Sequence, residues 1–66
     1  MKSFGENLRN ARTWAHLSQQ ELARKMGTTQ QRVSEWENNK IEPTLYNVIK
    51  MVKILNITFE DLTDGL

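Results

Sequence analysis

Apolar residues recur every three or four positions along most of the chain, the spacing that gathers them on one face of an α-helix. Phe4, Leu8, Ala11 and Ala15 form a first stripe, and Leu45, Val48, Ile49, Val52 and Leu55 form the longest. Valine and isoleucine crowd residues 48–57, yet the alternation of a half-buried strand is missing there. Lys50 and Lys53 fall together on the face opposite the stripe. The pattern predicts helices and no strand.

Capping residues mark where the helices begin. Ser18 with Glu21 three positions later spells a capping box, with Leu17 and Leu22 at the staple positions, and Thr58, Asp61, Ile57 and Leu62 repeat the same grammar. Ser3 with Glu6 opens the first helix. Thr29 caps a helix that runs to about Asn38 and is buried through Val33 and Trp36. Thr44 opens the fourth, separated from the third by Pro43, which disfavours helix at Glu42. Five helices sharing one core are expected, with no repeat, low-complexity run or linker between them.

Sixty-six residues make one domain, 1–66, with no room for a second, ligand-sensing one. The expected radius of gyration is about 11 Å. A composition of 38% hydrophobic and 26% charged residues excludes disorder. With no cysteine there is neither a disulfide framework nor a thiolate metal site. One histidine and no glycine-rich phosphate loop leave nothing from which to assemble a triad, so neither an enzyme nor a cofactor or metal is expected. No apolar run approaches the ~20 residues of a membrane span, and the start lacks the apolar stretch of a signal peptide, so a cytoplasmic protein without a membrane partner is expected. The net charge of +1 is unevenly spread: residues 1–40 hold seven basic and four acidic side chains, residues 41–66 two and four. Glu60, Asp61 and Asp64 at the acidic end read as solvated charge near a helix start. Trp36 reads as core, Trp14 is open between core and a stacking platform, and His16 reads as a surface or turn residue.

Between Gln19 and Trp36 the spacing becomes specific. Leu22, Ala23, Gly27, Val33 and Trp36 stand where two short helices cross closely: Ala23 is small where the next helix passes, and Gly27 can take a positive φ in the turn Gly27-Thr28-Thr29. That is the helix-turn-helix arrangement. Opposite Val33 and Trp36 the third helix presents Gln30, Gln31, Ser34 and Glu35, flanked by Thr29 and Arg32. An amide side chain carries both a donor and an acceptor and can bind adenine N6 and N7 together in the major groove.

From Phe4 to Leu62 the chain resembles the Xre/Cro-like helix-turn-helix family, which includes the repressors of lambdoid phages. The landmarks are Phe4-Gly5-Glu6-Asn7-Leu8-Arg9, Leu17-Ser18-Gln19-Gln20-Glu21-Leu22-Ala23, Trp36-Glu37 and Pro43-Thr44-Leu45. Gly27-Thr28-Thr29-Gln30-Gln31 is similar to the recognition turn of the phage 434 repressor. The resemblance implies an all-α, compact five-helix, lambda-repressor-like DNA-binding domain whose helices 2 and 3 form the helix-turn-helix. It further implies that Thr29, Gln30, Gln31 and Glu35 read bases, and that Arg12, Gln19, Arg32, Asn38 and Lys40 meet the DNA backbone. Arg12 and Glu37 match a family pair linking the first helix to the end of the third, either orienting Arg12 toward phosphate or serving as a plain ion pair. Three residues depart from the family pattern. Glu35 replaces a neutral or basic residue, which leaves open a hydrogen bond from cytosine N4 or an ion pair with Arg32. Asn39 and His16 stand where glycine is frequent, and asparagine tolerates the left-handed conformation.

The function expected on these grounds is that of a sequence-specific regulator of transcription, a repressor binding double-stranded DNA at a palindromic operator as a weak or DNA-assisted homodimer. Ile41, Phe59 and Leu66 are the apolar candidates for the dimer contact, unless they complete the core. The alternative is an antitoxin-type module with an unidentified protein partner that also autoregulates its promoter.

Overall fold

Ser3, Ser18, Thr29, Thr44 and Thr58 each accept, through the side-chain oxygen, the backbone N–H three residues further on, and a helix follows each of them. These helices are α1 (Phe4–Trp14), α2 (Gln19–Met26), α3 (Gln30–Glu37), α4 (Leu45–Leu55) and α5 (Phe59–Thr63). They are the regular elements of a computed structural model that describes residues 2–66, and among the described residues there is no strand. Ser18 and Thr58 complete capping boxes with Glu21 and Asp61.

The helix C-termini share a device of their own. His16, Gly27, Asn39 and Asn56 are all left-handed, with φ of 61°, 74°, 59° and 55°. Each lets the next residue donate its N–H to the carbonyl five positions back: Leu17 to Arg12 at 3.2 Å, Thr28 to Ala23 at 2.9 Å, Lys40 to Glu35 at 2.9 Å and Ile57 to Val52 at 3.1 Å. Only one of these four turns uses glycine. His16, read from the sequence as a surface or turn residue, is exposed and in a turn.

Leu8, Leu22, Ala23, Met26, Val33, Trp36, Val48, Met51, Leu55 and Leu62 form a single core drawing on all five helices. The Cα radius of gyration is 10.4 Å. On α4 the inward face differs from the expected one. Met51 is wholly buried with Val48 and Leu55, while Leu45 is 70% and Ile49 44% exposed. A stripe of period 3.6 defines a face but not which edge of it turns inward, and the residues that cover α4 come from α2 and α5. Trp14 lies in solvent, 84% exposed, whereas Trp36 is core.

α1 is held between α3 and α5. It meets the end of α3 so closely that a Cβ on Gly5 would overlap the carbonyl of Glu37. Asn39 does more than tolerate its backbone conformation: its Oδ1 accepts from the Gly5 N–H at 2.9 Å and its Nδ2 donates to Ser3 Oγ at 2.9 Å. On the other side, the buried Asn7 donates through Nδ2 to the carbonyls of Leu62 at 3.0 Å and Asp64 at 2.9 Å.

The left-handed turns therefore respond differently to glycine. His16→Gly should raise the free energy of unfolding in urea by about 0.5–1 kcal/mol, because it removes a left-handed side chain with no hydrogen-bond partner among the described residues. Asn39→Gly should show no gain, since it forfeits two hydrogen bonds of about 1 kcal/mol each. Equal gains at both positions would mean that the Asn39 side chain holds nothing.

Candidate nucleic-acid interface

α2 and α3 cross through Leu22, Ala23 and Met26 on one helix and Val33 and Trp36 on the other, all buried. Gly27, left-handed, turns the chain, and Thr29 caps α3 by accepting the Arg32 N–H at 3.1 Å. Its hydroxyl is thereby committed, which leaves the methyl group as its free part. With Val33, Trp36 and Glu37 turned inward, Gln30, Gln31 and Arg32 are exposed, and their side chains make no hydrogen bond to another described residue. Glu35 is half-buried. No described residue forms an ion pair with it, so the Arg32–Glu35 pairing left open by the sequence is not made.

The other expected contact residues cluster about Glu37, whose side chain has no exposed surface. Arg12 donates to it twice, from Nε at 2.6 Å and Nη2 at 3.2 Å, and its Nη1 binds the Leu17 carbonyl at 2.8 Å. The ion pair common to both readings of Arg12 is present. Gln19 Nε2 donates to the same carboxylate at 3.0 Å. Asn38, at the end of α3, donates to the carbonyl and hydroxyl of Ser34 at 2.9 and 3.2 Å and accepts from Arg9 Nη2 at 3.2 Å. Its amide is occupied within the protein. Lys40 is exposed just beyond the α3 turn, with no acidic partner among the described residues.

Arg9 was not singled out from the sequence for a site of its own. It stands three residues before Arg12, and that spacing is the signal that both side chains reach the same side of α1. Its Nε lies 3.6 Å from Glu37 Oε1. Nearby, the Ser18 hydroxyl and carbonyl take up the N–H groups of Glu21 and Leu22, leaving those of Gln19 and Gln20 unpaired among the described residues at the start of α2. The Glu21 carboxylate accepts the Ser18 N–H at 2.8 Å, and this hydrogen bond holds its pKa below the ordinary value.

A profile of the helix-turn-helix family matches residues 8–62 of this chain. The chain belongs to the Cro/C1-type helix-turn-helix family. Over 62 residues, 94% of its length, it is 37% identical to the SPβ prophage-derived HTH-type transcriptional regulator YonR of Bacillus subtilis, of which it spans 57%. It is 29% identical over the same length to the HTH-type transcriptional activator BcrR of Enterococcus faecalis, of which it spans 30%. Among solved structures it is similar to the P22 c2 repressor in complex with a synthetic operator, with a TM-score of 0.89 and 26% identity over the full length of both chains. It is also similar to the restriction-modification controller protein C.AhdI of Aeromonas hydrophila, with a TM-score of 0.83 and 34% identity over 89% of each.

The five-helix Cro/C1-type fold is that of phage repressor domains, and the family is one of transcription regulators rather than enzymes. Among the described residues, no helix is long and apolar enough to cross a membrane.

Removing one partner from the buried cluster should be far more damaging than removing a surface charge. Glu37→Ala leaves the part-buried Arg12 guanidinium without its carboxylate, and the expected loss in denaturant unfolding is about 3–5 kcal/mol. Replacing Arg12 and Glu37 together with apolar residues should recover much of that loss. A single-variant cost under about 1 kcal/mol would place the pair in the class of solvent-screened surface bridges.

Proposed function

We propose that this chain is the reading head of a sequence-specific transcription repressor that acts in the cytoplasm on duplex DNA. One observation carries the reading: on a capped helix anchored by Trp36, Gln30 and Gln31 stand exposed with donors and acceptors unspent. α3 enters the major groove, where Gln30 and Gln31 contact base edges, the Thr29 methyl meets a thymine methyl, and the Glu35 carboxylate faces a base donor. Arg32, Lys40 and the start of α2 at Gln19 meet the flanking phosphates. Arg12 and Asn38, each held by hydrogen bonds within the protein, stand beside the same phosphates. That the P22 c2 repressor is solved on an operator supports the same docking for this chain. Residues 1–66 are read as one DNA-binding domain, whatever further parts the longer relatives carry.

One copy reads a half-site, and two copies on a palindrome place their reading helices about 34 Å apart. The molecule measures 27 × 24 × 21 Å, so two such bodies meet only at an edge. Ile41, Phe59 and Leu66 do not complete the core. They stand 39%, 55% and 69% exposed around an open hollow of about 390 Å³. A patch this small suits a dimer that forms with the help of DNA.

Selection of bound duplexes from a random pool tests the reading directly: an enriched palindrome is expected, and enrichment of no duplex would sink it. On the selected site, Gln30→Ala or Gln31→Ala should cost about 1–3 kcal/mol and relax the choice at about one base pair. An equal loss on every sequence would exclude direct readout. Lys40→Gln should weaken all duplexes alike and reduce the slope of log affinity against log salt by about one. An unchanged slope would take Lys40 off the phosphates.

A further inference from the structure

The end of α1 carries an indole that the fold does not use. Trp14 stands almost entirely in solvent, although a tryptophan ordinarily takes about 150–250 Å² of surface out of water. Asn7, Ala11 and Trp14 follow one another at intervals of four and three, on the face of α1 opposite Gly5, Arg9 and Arg12, which meet the end of α3. That face borders an open hollow of about 760 Å³ between α1 and the chain that enters and forms α5. Its floor is apolar: Leu55 is buried, and Ala11 and Ile57 are half-buried against the core.

The rim of this groove is acidic. Glu60 and Asp61 line it without a basic partner among the described residues. Lys2, the one described cation on the lining, is spent on Asp64 at 2.7 Å. Two uncompensated carboxylates therefore stand beside an apolar floor and an exposed indole. Such a rim repels phosphates, which sets Trp14 against stacking on a nucleic acid strand and, since it lies outside the core, leaves it free for another use. A basic protein segment is attracted instead: an apolar side chain covers the floor, a lysine or arginine meets the carboxylates, and a guanidinium can lie over the indole face. An apolar patch rimmed by charge is the form of a protein docking surface, and tryptophan is among the residues that carry most of the energy in one.

We infer that the groove between α1 and α5 is a docking site for a basic segment of a partner protein, with Trp14 as its anchor. An apolar side chain of the partner seats on Ala11, Leu55 and Ile57, and its cationic side chains pair with Glu60 and Asp61. α1 lies between α3 and α5, so a partner seated there leaves Gln30 and Gln31 uncovered. The site does not depend on how α3 meets DNA.

The test is a selection of short random peptides, displayed on phage, on the immobilised wild-type chain, followed by titration of the enriched peptides against wild type, W14A and E60K. Peptides that combine a bulky apolar residue with lysine or arginine are expected, and their affinity should fall as salt is raised. W14A should weaken them about 30-fold, the effect of losing one aromatic anchor, and E60K should weaken them as well. Both replaced side chains are exposed, so the fold is kept, which circular dichroism checks. No enrichment, enrichment of peptides without basic residues, or equal binding to either variant would overturn the inference. If a variant is unfolded, the indole N–H resonance of Trp14 in the wild-type chain decides: a shift on adding a selected peptide supports the site, and an unmoved resonance excludes it. The same shift with oligothymidylate would overturn the inference in favour of base stacking. A dimer of the free chain in sedimentation that W14A abolishes would assign the groove to a second copy and overturn it too.

Discussion

The carboxylate of Glu37 is completely buried at the point where the middle of α1, the start of α2 and the end of α3 converge. Withdrawing a charge from water costs several kcal/mol, which is offset here by three hydrogen bonds and an adjacent second arginine. What the arrangement supplies beyond stability is geometry. Apolar side chains such as Leu8 and Leu22 can slide over one another at little cost, whereas a planar fork on two oxygens fixes distance and angle together. The seat of α3 against α1, and with it the outward aim of α3, is set by that fork together with the burial of Trp36 in the core.

Around this junction the ends of the helices do the remaining work of orientation. Asn39 closes α3 in the left-handed conformation and clamps Ser3 and Gly5 at the beginning of α1, so the two termini meet face to face. Asn7, two residues along, ties the same helix to the carbonyls that end α5. α1 is thereby fixed on both flanks. Its exposed ridge, with Trp14 at the tip, contributes nothing to the core.

Much of this was readable in the sequence because it is local. Caps, staples and the Gly27 turn depend on residues within four positions of one another, and every predicted helix start is found. The outward placement of Gln30 and Gln31 followed from Val33 and Trp36 on the opposite face of one short helix. What the sequence hid depends on distant partners. Met51 takes the inward place expected of Ile49 because of what α2 and α5 bring to α4. The engagement of Asn38 and the exposure of Arg9 follow from that same long-range packing.

α3 is held by its Thr29 cap and by Val33, Trp36 and Glu37, whereas the side chains of Gln30, Gln31 and Arg32 are exposed. Exchanging those outward residues leaves the folding equilibrium almost unaltered, so variation there is filtered by the external surface they meet and hardly at all by the need to fold. Those outward positions behave as a replaceable cartridge. A lineage could move from one preference to another by single steps without passing through an unstable ancestor.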